Sequence, residues 1–97
     1  MDTLADKYYL KAVDSYPYNL DEVIESLRFA LSYDNEHVGA NYLMGKLYAE
    51  QFLDYTRAEG YYQVAMASDP RNENVCMDYV LLLIIMKFLR MVLFSFR

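Results

Sequence analysis

Gly45-Lys-Leu-Tyr48, then Ala58-Glu-Gly-Tyr-Tyr62-Gln-Val-Ala65, then Asp69-Pro70 form the stretch that decides the fold. A small residue is followed by tyrosine one helical turn later. Farther on, alanine, tyrosine and alanine recur at four- and three-residue steps. Both spacings place side chains on one face of an α-helix. Asp54-Tyr55 marks the turn between the two helices, and Asp69-Pro70 ends the second, because proline cannot supply a helical amide. Glycine and alanine at facing positions let two helix backbones approach, and Tyr48 and Tyr62 fill the space beside them. The unit is a helical hairpin.

Upstream, Leu4, Tyr8, Tyr9, Ala12 and Val13 predict a first helix over about residues 3–16, stopped by Pro17. Asn19-Leu-Asp-Glu22 reads as a capping box, with Asp21, Glu22 and Glu25 complementing the helix dipole. Val23, Leu27, Ala30 and Leu31 form the apolar face of the second helix, which Asp34-Asn35 ends. The third helix is expected over about 36–51, and Thr56-Arg-Ala-Glu59 offers a capping box for the fourth. Beyond Pro70 there is neither glycine nor proline, so one long helix is expected over about 72–96. The first two helices align with the next two. Tyr9-Leu10 matches Tyr42-Leu43, Ala12 matches Gly45, Val23 matches Ala58, Leu27 matches Tyr62 and Ala30 matches Ala65. This alignment shifts by 33 residues early and 35 late, which predicts a longer loop in the second unit. Repetition at such a period marks helix pairs stacked into a solenoid.

Gly45, Tyr48, Ala58, Tyr62, Ala65, Asp69 and Pro70 together resemble the tetratricopeptide repeat in the order of its pattern. Residues 3–35 match as a degenerate first unit and 36–70 as a second. The tail matches only as a partial third, with Val80 at the small-residue position. The resemblance implies a single all-α domain, a right-handed antiparallel helix-hairpin solenoid of about five helices with a long C-terminal helix. It also implies partner binding in a concave groove lined by Asp6, Tyr9, Tyr16, Tyr42, Lys46, Ala49 and Glu50. Tyr9 and Tyr42 serve equally well as ordinary packing between helices. Some family members clamp a C-terminal carboxylate with several bases, but here Lys46 stands among acids. The expected ligand is therefore a neutral or basic peptide held by apolar contacts.

Composition narrows the function classes. The chain has 97 residues, 56% hydrophobic and 24% charged, which excludes disorder and allows one core. Residues 1–74 carry thirteen acids against six bases, a net −7, while residues 75–97 carry Asp78 against Lys87, Arg90 and Arg97, a net +2. An acidic body without a basic stripe argues against nucleic acid as a partner. The single cysteine, Cys76, and an N-terminus without a basic region leading into an apolar run predict a cytoplasmic, reducing location. His37 is the only histidine, expected solvated in a turn, and Cys76 is expected as a buried, inert thiol. No metal-ligand spacing, phosphate loop or nucleophile elbow occurs, so neither an enzyme nor a cofactor is expected. A small-molecule carrier with a tyrosine-lined cavity is a weaker reading.

The tail poses the remaining question. Tyr79-Val-Leu-Leu-Leu-Ile-Ile-Met86 is apolar on every side, and Lys87 and Arg90 interrupt it. Such a helix must be covered, and two and a half repeats fall short of the roughly three that bury a continuous core. The expectation is that it packs on its own domain first and then on a second copy. Tyr79, Leu82, Leu83, Met86, Leu89 and Phe94 are the candidates for self-association into a homodimer. The alternative is a membrane-associated adaptor whose last helix inserts in or lies on a bilayer. The tail can also stand in for the continuation of a longer repeat protein.

Overall fold

A computed structural model describes residues 3–95, and helices follow one another with four-residue turns between them. They are α1 (Leu4–Ser15), α2 (Leu20–Tyr33), α3 (Val38–Glu50), α4 (Tyr55–Ser68) and α5 (Glu73–Ser95). No strand occurs among the described residues. The caps explain the boundaries. Thr3 and Asp6 form a reciprocal box at the start of α1, with both hydrogen bonds at 3.1 Å. Asn19 accepts from the Glu22 amide at 3.2 Å, but Glu22 meets the Asn19 side chain instead of its backbone. The Asn19 amide is already used by the Ser15 carbonyl at 2.9 Å. The expected box at Thr56–Glu59 is replaced by Asp54, which accepts from the Arg57 amide at 3.2 Å and starts α4 at Tyr55. Asn72 caps α5 by accepting from Val75 at 3.2 Å.

Burial recurs at one spacing of 35 residues. Ala5, Ala40 and Val75 are buried in α1, α3 and α5, as are Ala12, Leu47 and Leu82. Val23, Leu27 and Ala30 of α2 repeat as Ala58, Tyr62 and Ala65 of α4. This corrects the alignment drawn from residue identity. Ala12 is the counterpart of Leu47, not of Gly45, and the turns at 16–19 and 51–54 are equal in length. Packing direction, rather than shared tyrosines, sets the register.

α1 packs on α2 and α3 on α4 as two hairpins, joined by smaller contacts between α2 and α3. The larger core cluster joins Ala12, Val23, Leu27, Ala30, Leu43, Met44 and Leu47. A smaller one joins Ala58, Tyr62 and Leu82, and Tyr48 touches both. Tyr62 lies over Gly45, where an added Cβ would stand 2.5 Å from its ring, so this close approach needs glycine. Gly60 marks no crossing: a Cβ there would have nothing within 4 Å. α5 packs on α4 far less extensively than the hairpins pack internally. Its 23 residues make a rod of about 34 Å in a molecule of 52 × 29 × 18 Å.

Candidate interaction surfaces

Two surfaces follow from this arrangement. The first runs across α1, α3 and α5 and is built from tyrosine–carboxylate pairs. The Tyr16 hydroxyl donates to Glu50 at 2.6 Å, and Gln51 Nε2 donates back to it at 3.4 Å. The Tyr42 hydroxyl donates to Asp78 at 2.5 Å, tying α3 to α5, and the Lys46 ammonium lies 5.8 Å over the Tyr42 ring. Tyr9 packs on Gly39, where a Cβ would fall 2.7 Å from its ring, and lies 5.2 Å from the His37 imidazole. Ala49 and Glu50 edge a cleft of about 180 Å³ together with Tyr55, Tyr62, Asp78 and Leu82. Of the groove residues expected from the sequence, Asp6 and Tyr9 lie on α1, Tyr16 in the turn after it, and Tyr42, Lys46, Ala49 and Glu50 on α3, and most are occupied in joining neighbouring helices.

His37 and Asp78 belong to this surface and were not anticipated in it. His37 caps α3: its Nδ1 accepts from the Ala40 amide at 3.0 Å and its Nε2 lies 2.6 Å from Asp6. An Nδ1 that accepts carries no proton, so Nε2 holds the hydrogen that Asp6 accepts. The solvated histidine expected from sequence is instead mostly covered, its side chain 12% exposed. Asp78 had one clue, as the only acid in an apolar tail. His37 had none, since Asp6 lies 31 positions away.

The charges on this surface leave a chemical trace. Burial, then the hydrogen bond to Glu50, pushes the Tyr16 phenol up to about 12. Burial first, and then the Asp78 carboxylate, raises Tyr42 and Tyr62 as well. The Thr3 amide, aided by His37, holds Asp6 below the ordinary carboxylate range. Among the described residues no group of three or more His, Cys, Asp or Glu could hold a metal ion. Cys76 is half-buried, its Sγ 3.5 Å from Met66 Sδ and 3.7 Å from the Pro70 carbonyl oxygen.

The second surface is α5 itself, which carries two opposed rows. Val75, Tyr79, Leu82 and Met86 face the protein: Val75 and Leu82 are buried, and Tyr79 and Met86 pack on the smaller cluster. Tyr79 is also fixed by hydrogen bonds, donating to Glu59 at 3.3 Å and accepting from Gln63 at 3.1 Å. Three of the six self-association candidates, Tyr79, Leu82 and Met86, are thus engaged within the chain. Leu83, Leu89 and Phe94 are exposed. On the far side, Met77, Leu81, Ile84, Phe88 and Met91 are each more than half exposed. Among the described residues no helix is long and apolar enough to cross a membrane. The chain matches no protein-family model and no curated protein.

Proposed function

We propose that this chain is a non-enzymatic protein-interaction module of the tetratricopeptide-repeat type, a right-handed solenoid that works as a scaffold or adaptor. The observation that carries the reading is α5, whose outer side presents a continuous apolar surface over most of its length. Apolar patches of that extent on a small protein mark sites of association. The module self-associates there as a homodimer. The tyrosine–carboxylate face of α1 and α3 receives a second partner, a neutral or basic peptide or helix, because Glu50 and Asp78 give it a negative field. Tyrosine suits such a surface, with large contact area and little entropy to lose.

Light scattering on the purified protein without detergent tests the first half. A discrete dimer supports the module. Aggregation relieved only by liposomes or detergent supports instead a helix lying on a bilayer, which the apolar α5 also favours. A peptide array tests the second half: preference for basic, apolar peptides supports the groove, and preference for acidic C-terminal peptides rejects it.

A further inference from the structure

We infer that two copies pair through the outer row of α5 in antiparallel fashion, the basic half of each helix lying over the acidic body of the other. The inference rests on the self-association reading and adds the residues and the direction. Met77, Leu81, Ile84, Phe88 and Met91 are spaced four, three, four and three residues apart. That alternation is the seam of a two-stranded coiled coil, in which apolar knobs from one helix fill holes on the other. The inner row Val75, Tyr79, Leu82 and Met86 has the same spacing, shifted by two positions to the opposite side of the helix. One row is satisfied by α4, and its twin is uncovered.

A second copy of this chain fits the outer row because an isologous contact pairs the row with itself. With the crossing at Ile84, Met77 meets Met91 of the partner subunit, and Leu81 meets Phe88 of the partner subunit. Charge fixes the direction. Residues 1–74 sum to −7, and Glu73 and Asp78 lie at the start of α5, whereas Lys87 and Arg90 lie in its second half. Antiparallel pairing lays the basic second half of each α5 toward the acidic body of the partner subunit and sets the helix dipoles head to tail. Parallel pairing would place two acidic bodies side by side and Lys87 beside Lys87 of the partner subunit.

The test uses the full-length protein. Light scattering should show a dimer whose dissociation constant rises about 100-fold or more in Ile84→Asp and Phe88→Asp, since each would bury an unpaired charge. Both positions are exposed in the single chain, so circular dichroism should stay unchanged. In a Cys76→Ser background, Met77→Cys and Met91→Cys should crosslink rapidly when mixed, and Met77→Cys alone should not. A dimer that ignores the two aspartates, or that crosslinks through Met77→Cys alone, overturns the outer seam or its direction while leaving self-association intact. A monomer at high micromolar concentration overturns both.

Discussion

Gly45 and Gly60 are both helical glycines, yet replacing them should shift stability in opposite directions. At Gly45 a methyl group would press on the Tyr62 ring, so Gly45→Ala should cost about 1–3 kcal/mol. At Gly60 the space is open, and Gly60→Ala should add about 1 kcal/mol through helix propensity alone. Urea midpoints of the two variants check both signs. Asp6 gives a prediction in pH. Its acidity is strengthened in the folded chain, so its stabilising share is complete above the ordinary carboxylate range and is lost as the pH falls through its lowered value. Asp6→Asn should flatten that acid limb, followed by thermal melts between neutral and acid pH. For His37, nitrogen NMR should find the hydrogen on Nε2, because the Ala40 amide occupies Nδ1. The Gly45–Tyr62 contact was legible because both residues belong to one local hairpin pattern. The His37–Asp6 contact was not, because it joins helices of different units.

Helix boundaries were largely readable, since Pro17 and Asp69-Pro70 act through local backbone chemistry. The start of α4 was readable only to within Asp54–Thr56, because Thr56 and Asp54 are both good caps and spacing alone does not rank them. Asp54→Ala should cost about 1 kcal/mol, and Thr56→Ala much less, as denaturant titration can show. The orientation of α5 was the least readable feature. A helix apolar all round gives periodicity no contrast, so the choice between its two rows depends on what α4 presents to it. The consequence is measurable. Leu82→Ala removes a side chain wedged against Ala58 and Tyr62 and should cost about 2–5 kcal/mol.

For the molecule as a whole, tyrosine carries much of the joining: among the eleven in the chain, Tyr9 packs on Gly39, Tyr62 fills the approach at Gly45, and Tyr16 and Tyr42 hold Glu50 and Asp78 in place. Their ionisation should therefore set the alkaline limit of the fold. Tyr16, Tyr42 and Tyr62 ionise later when folded, so their stabilisation is complete below the free phenol value of about 10 and fades as the pH rises toward their raised values. Ultraviolet titration should resolve a late class of phenols, and Tyr16→Phe should shrink it. The uniform 35-residue step has a different outcome, one for chain engineering. A second tandem copy of residues 36–70, spliced at the Asn35–Glu36 junction, would carry everything downstream forward by one whole period. Each junction would then meet a neighbour like the one it already has, and the lengthened array should melt cooperatively at a temperature no lower than the parent's.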